Sequence, residues 1–411
     1  MKTRILLALT LAASFSTHAQ ITPEISCWIQ NTNGDTGYAG ILTNVQQVQY
    51  STNNVYVSCT CIPGYDIGPW TGNPNIPANQ NFLFKITRSP QPNTGTAVNT
   101  PMGHIGVWSN GVSIFNAKDG FSYNNQGVWN RNAIVAEGIS FDNCLGHPAP
   151  NGEYHHHLNP TCLYDDSTGA VHSSIIGYAF DGYPVYGAYG NDSANGNGTI
   201  RQMFSSYRLR SMTTRTTLPN GTVLSPAQYG PAVNGTYPLG LYLEDFEYVA
   251  GLGDLDEHNG RFCVTPDYPL GTYAYFVTLD SNLVAAYPYV LGPTFYGTVM
   301  TGNTGPGSGH NIISEPVVSF VTSVSDPEDR LDFNLYPNPF SESLVIVVEP
   351  GMNTGIKATL RNLLGQEIMY EENMQSAMPY FFDGHALKKG VYFLTLESGG
   401  FKSTQKIVKV D

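Results

Sequence analysis

Glycine, proline and asparagine interrupt this chain so often that only short runs stand between them. It holds 43 glycines and 27 prolines. Glycine frees the backbone for left-handed turns and proline removes a hydrogen-bond donor, so the segments between them suit short strands and loops. Val45–Tyr50 and Val55–Cys61 are two such runs, with Asn53-Asn54 between them as a hairpin signal. Phe82–Thr87 reads as a further strand and Ile62–Gln80 as loop. Aromatic residues make up 12% of the chain, including 26 tyrosines, which favours pleated surfaces over helices. The expected fold is mostly β with few short helices, and Asn130–Phe141 is one of the few places for a helix.

Charge narrows the partners. The formal net charge is −13, which argues against nucleic acid, because phosphate binding needs clustered lysine and arginine. The first residues indicate the compartment. Lys2 and Arg4 precede an apolar run, Ile5–Phe15, and Thr17-His18-Ala19 forms a small-residue cleavage site before Gln20. Residues 1–19 therefore read as a Sec signal peptide, and no later stretch is long and apolar enough to cross a bilayer. All six cysteines (Cys27, Cys59, Cys61, Cys144, Cys162 and Cys263) follow it. An even count in an exported chain predicts disulfides. Cys144–Cys162 is the preferred pair, a staple at the base of the loop described next. Cys59 and Cys61 share a strand face and do not suit each other, and disulfide partners elsewhere are favoured over a CxC metal site.

That loop is Gly146–Asp166, GHPAPNGEYHHHLNPTCLYDD, with three histidines in a row. Side chains alternate on an extended segment, so His155 and His157 face one way and Tyr154 and His156 the other. Two imidazoles at i and i+2 are a recurrent way to hold a divalent metal, here copper or zinc. Two ligands do not make a site. His104, Asp181 and His258 are the expected additions, each at a strand end or turn, with Asp256, Glu257 and His172 as further candidates. His104 opens a strand that turns at Asn110-Gly111, expected as a type I′ hairpin, and Asp181-Gly182 is a second tight-turn signal. Asn191–Gly198 has calcium-like Asp/Asn spacing but no closing glutamate. There is no GxSxG, HExxH, phosphate-loop or GxGxxG signature.

Two resemblances follow from longer motifs. GHPAPNGEYHHH (146–157), GYAFDGYPVYG (177–187), GDLDEHNGRF (253–262), TYAYFVT (272–278) and AYPYVLGP (286–293) together resemble the YHYH-domain family, most clearly over 102–297. This chain departs from the family's motif at His156, where the family has tyrosine. The resemblance implies a secreted location and supplies no mechanism. YPNPF (336–340), NLLGQ (362–366), LKKGVYFL (387–394) and KIVK (406–409) resemble the C-terminal sorting domain of type IX secretion. That implies handling by the type IX machinery, then release or cell-surface attachment after the tail is processed. Short apolar runs after Leu335 suit a small Ig-like β-sandwich. The expected organisation is a signal peptide (1–19), a YHYH domain (20–300), a flexible linker and connector (301–334) and a sorting domain (335–411). Three functions compete: divalent metal binding through His155 and His157; a non-catalytic surface module for glycan or protein, using tyrosines with Trp70, Trp108 and Trp129; and a metal-dependent hydrolase or copper redox enzyme. Whether the chain is an enzyme is left open.

Overall fold

The computed structural model describes residues 21–321 apart from 166 and 168, and 333–410 apart from 349–354, 364, 375–378 and 399–400. The signal-peptide reading of residues 1–19 lies outside the described residues. The chain divides into two units, Met1–Val321 and Thr322–Asp411.

The first unit is built on two sheets. Strands β1 (Val45–Tyr50), β2 (Asn54–Cys59) and β3 (Phe82–Thr87) form an antiparallel meander, joined at its β1 edge by a short strand at Val318–Phe320. A larger sheet takes β4 (His104–Trp108), β5 (Ser113–Phe115), β8 (His147–Pro148), β9 (Tyr154–His156), β10 (Ile175–Ala179), β11 (Pro184–Tyr186), β12 (Gly260–Cys263) and β13 (Thr272–Phe276). Its order is β12-β13-β11-β10-β4-β5-β9-β8. Outside it, β6 (Lys118–Ser122) pairs with β7 (Asn130–Asn132), which runs into helix α1 (Ala133–Glu137).

Both faces of the larger sheet are covered. One face contributes Val107, Tyr178, Phe180, Tyr186 and Phe276 to a core shared with Val45, Val55, Val57, Phe84 and Ile86 of the smaller sheet. The other contributes Trp108, Ile114, Tyr154, Val185 and Tyr275 to a second core closed by Tyr287, Tyr289 and Phe295. This is why β4, β10 and β11 are buried along their whole length, without the in/out alternation of a half-exposed strand.

Three hairpins of this sheet share one turn. Trp108 N donates to Val112 O, Ala149 N to Glu153 O and Ala179 N to Tyr183 O. Gly111, Gly152 and Gly182 each donate back to the first of those residues, and all three have φ near +80 to +90°. The residue before each glycine accepts from the amide two positions on: Asn110 from Val112, Asn151 from Glu153, Asp181 from Tyr183. The expected type I′ turn at Asn110-Gly111 needs both residues left-handed, and only Gly111 is. The Asn110 side chain instead braces a three-residue turn, with the left-handed glycine in the bulge position.

One other expectation changes and one holds. The Gly-rich stretch Thr301–His310 is not a free linker. Asn303 is fully buried, with Oδ1 accepting from Lys85 N, and His310 bridges Leu83. Gly302, Gly305, Gly307 and Gly309 all have positive φ, so these glycines serve turns of a packed segment. The helix in Asn130–Phe141 is one short α-helix, Ala133–Glu137, capped by Asn132 Oδ1 accepting from Ile134 N, and continues as a 3₁₀ turn to Ser140.

In the second unit, Phe333–Tyr336, Ser343–Val348 and Tyr380–Asp383 form one sheet. Ile356–Asn362, Glu367–Met374, Gly390–Ser398 and Phe401–Lys409 form another. Leu344, Ile346, Leu360, Leu394 and Leu396 meet in one core between them, the sandwich that the sequence predicts.

A Cβ at Gly111 would stand 2.5 Å from Cys59 Cβ, at a φ of +80°. Gly111→Ala is therefore expected to destabilise the first unit by at least about 2 kcal/mol, combining left-handed strain with overpacking. Urea unfolding of the variant against wild type checks this. An unchanged midpoint would mean that the hairpin tip does not pack on β2.

Candidate metal centre

The centre begins with the short strand β9, which is hydrogen-bonded on both edges. His155 pairs with Ser113 of β5 in parallel and with His147 of β8 antiparallel. Residues directly opposite on an antiparallel pair bring their side chains together, so the register sets His147 against His155. Alternation along β9 sets His157 beside His155 on the same face. One ring nitrogen from each of His147, His155 and His157 lies within 4.8 Å of the others, and all three residues are buried. Among the described residues this is the one such cluster.

Each Nδ1 is held by an oxygen. His155 Nδ1 lies 3.0 Å from Glu153 O, and His157 Nδ1 2.5 Å from Asn116 O. A carbonyl only accepts, so both Nδ1 atoms carry the proton. His147 Nδ1 lies 2.7 Å from Ser140 Oγ, whose own hydroxyl donates to Glu137 O at 2.8 Å. Ser140 is thereby left to accept from His147 Nδ1–H. In the neutral rings every Nε2 is then a lone pair. His155 Nε2 and His157 Nε2 stand 3.1 Å apart. Glu137 Oε2 lies 3.1 Å from His147 Nε2 and 3.6 Å from His157 Nε2. With all three rings neutral, three lone pairs and a carboxylate oxygen face one another with no donor among them, whereas a proton taken up by His147 or His157 is directed at Glu137.

Burial opposes a charge on two of these rings. Burial first, then the neighbouring rings of His147 and His157, hold the His155 imidazolium well below its usual range. Burial likewise lowers His147, partly countered by Glu137. Burial pushes the Glu137 carboxyl up, but His147, His157 and Asp119 beside it outweigh that and hold it low. Asp119 is pushed up to about 7, by burial first and then by Glu137. Phe115 stacks on His155 at 3.8 Å, and Phe141 meets His147 edge-on at 4.8 Å. Glu137, 26% exposed, is the one group of the cluster with substantial access to solvent.

The loop is anchored at its base. Cys144 and Cys162 form a disulfide. The buried Asp142 carboxylate accepts from Tyr154 Oη at 2.9 Å, Cys144 N at 2.9 Å, Gly146 N at 3.1 Å and Gly68 N at 2.8 Å. His156 points to the other side of β9, against Tyr154 and Trp108, and burial lowers it to about 3. The disulfides expected of the other cysteines are not formed: Cys27, Cys59, Cys61 and Cys263 are free thiols, the last three buried. Cys61 points its Sγ at Tyr154 O, 3.0 Å away.

Of the residues expected to complete the site, none reaches the cluster. His104 is buried behind β9, with Nδ1 2.9 Å from Glu153 Oε1 and its ring edge-on to Phe82, Phe84 and Phe180. Asp181 braces its turn by accepting from Tyr183 N, and its other oxygen accepts from Tyr275 Oη at 2.6 Å and Gly297 N at 2.8 Å. His258 Nδ1 bonds Thr294 Oγ1 at 2.8 Å. Asp256 accepts from Tyr273 Oη and His258 N. Glu257 is exposed and 3.9 Å from His258 Nε2, and His172 Nδ1 bonds Ser173 O. The Asn191–Gly198 loop keeps Asp192 on Thr199. Sequence reading missed His147 and Glu137. The signal for His147 was present: Asn151-Gly152 is the same turn signal as Asn110-Gly111 and folds His147 back onto His155. Glu137 carried no signal, because α1 is far shorter than a pattern can reveal.

Comparison with known families follows this division. A family model described as YHYH protein matches residues 83–288, and one described as a secretion system C-terminal sorting domain matches residues 334–410. No curated protein matches the chain. The sorting domain marks the chain for handling by type IX secretion and hence for release or display at the outer cell surface. Among the described residues no helix is long and apolar enough to cross a membrane.

The Cys144–Cys162 bridge closes a loop of 18 residues around β8 and β9. Cys144→Ser/Cys162→Ser is expected to cost roughly 3 kcal/mol of stability. Guanidinium unfolding of the double variant measures this, and a loss below about 1 kcal/mol would show that Asp142 alone holds the loop.

Proposed function

The chain belongs to the YHYH protein family, and for its histidine centre we propose divalent transition-metal binding by His147, His155 and His157, with Glu137 as the fourth donor. The carrying observation is the 3.1 Å separation of the His155 and His157 Nε2 atoms with both Nδ1 protons committed elsewhere. Lone pairs at that distance repel unless a cation lies between them. Adjacent ligands on bonds of about 2.0–2.1 Å stand roughly 2.8–3.4 Å apart, depending on geometry, so the pair suits one shared ion. Held Nδ1–H groups are also the usual support of metal-ligating histidines, since they set the tautomer and ring orientation.

The donor set is three imidazoles and a carboxylate, without thiolate. It suits zinc or copper and does not suit calcium or magnesium, which take oxygen cages. A metal bound there would supply a Lewis acid, or with copper a one-electron centre. The chain's own residues do the rest. Ser140, Glu153 and Asn116 hold the Nδ1 protons, and Phe115 and Phe141 keep water from two sides. Glu137, the more exposed donor, is the place where a coordination position could open. Export by the type IX route makes this an extracellular metal protein.

Elemental analysis of the secreted chain tests the reading. About one zinc or copper ion per chain is expected. His147→Ala and His155→Ala/His157→Ala are expected to abolish retention, whereas His104→Gln and His258→Gln retain it, with circular dichroism confirming folding in each. Metal content unchanged in the His155→Ala/His157→Ala variant would overturn the proposal. Ser140→Ala leaves every ligand in place but frees the His147 ring, so chelator competition is expected to show about 10–100-fold weaker binding.

A further inference from the structure

A cleft of about 860 Å³ is lined in part by Asn116 and Lys118, at the segment whose Asn116 carbonyl holds His157. None of the three clustered histidines lines it, so its chemistry is separate from theirs. Its size falls within the roughly 300–1,000 Å³ typical of ligand sites.

Aromatic rings make one wall. Tyr207, Phe246 and Tyr248 come from a two-stranded antiparallel sheet, and Tyr287 lines the cleft with them. The rings brace one another: Phe246 stacks on Tyr287 at 4.2 Å, and Tyr207 meets Tyr248 at 5.7 Å and Tyr287 edge-on at 5.2 Å. Rings fixed in this way present surface without losing side-chain freedom when a ligand arrives. The hydroxyls of Tyr248 and Tyr287 have no protein hydrogen bond among the described residues, and neither is a fully enclosed orphan.

The remaining polarity is neutral. Lys118 and Glu244 contribute one charge of each sign. Both Glu244 oxygens are already occupied by Asn130, through its N at 2.7 Å and its Nδ2 at 2.6 Å. Across the cleft Asn220 and Gln228 use their side-chain oxygens within their own loops, accepting from Thr222 N and Ser225 Oγ, which leaves their amide N–H groups for a ligand. A charged ligand finds no matching cluster here, and a purely apolar one would strip water from these amides.

We propose that this cleft binds a neutral saccharide. The C–H faces of sugar rings fit flat against fixed aromatic rings, and ring hydroxyls suit amide and phenol partners. The outer-surface destination of the chain brings the cleft to such polymers.

The test titrates the full secreted chain with neutral oligosaccharides (cello-, malto- and chitohexaose) and with an acidic control, trigalacturonate, by calorimetry and NMR. At least one neutral oligosaccharide is expected to bind, and trigalacturonate not to. Tyr248→Ala is expected to weaken binding by about tenfold or more. Asn220→Ala, on an exposed loop where folding is not at stake, is expected to weaken it several-fold. His155→Ala/His157→Ala is expected to leave it unchanged, which separates this site from the metal centre. No neutral saccharide binding at about 10 mM, where even very weak complexes register, would overturn the proposal. So would equal binding of the acidic control, affinity untouched by both cleft variants, or displacement of the saccharide by an unrelated peptide.

Discussion

The candidate site depends on the pairing of a three-residue strand. Tyr154–His156 is hydrogen-bonded to Ser113–Phe115 on one edge and to His147–Pro148 on the other. That double pairing fixes which way each side chain points. The antiparallel edge sets His147 against His155, and the two-residue period of the strand sets His157 beside them. Slipping the register by one residue would turn His156 into the cluster and bury His155 among the aromatics of the opposite face. The Cys144–Cys162 bridge and the four bonds to Asp142 act on the same few residues, holding the loop in the register that the histidines need.

Burial then dictates the chemistry. An imidazole taken out of water disfavours its charged form. Its polar atoms must still be satisfied. Here the satisfaction is one-sided: each Nδ1 has an oxygen partner, and the Nε2 atoms face one another and Glu137. A structural histidine network would alternate donors and acceptors around the group. The absence of that alternation distinguishes this cluster from the other histidines. His104, His172 and His258 each meet a carboxylate, carbonyl or hydroxyl oxygen at Nδ1 and, among the described residues, no second histidine.

Much was legible where the controlling physics is local. Short strands, turn residues and the β-sandwich tail follow from period and punctuation, as at Asn53-Asn54 and in the apolar runs after Leu335. The facing of His155 and His157 follows from alternation alone. Local readings failed where packing decided. Thr301–His310 has the composition of a linker, yet Asn303 is buried against β3 and the glycines make its turns. Four cysteines in an exported chain stand as thiols, three buried in one core and Cys27 packed against it. Asp181 and His258 sit at strand ends, as metal ligands often do, but the Asp181 side chain closes its own turn and His258 bonds Thr294.

The sequence by itself determined the β class, the sorting tail, the exported destination and the presence of two histidines on one face. Each of these rests on patterns only a few residues long or on a motif read directly. Only the tertiary structure decided what completes the pair. His147 is eight positions before His155, and Glu137 is ten before His147 on a helix barely more than one turn long. Their approach depends on strand register and on how α1 docks, both set by long-range burial. No spacing rule along the chain encodes either.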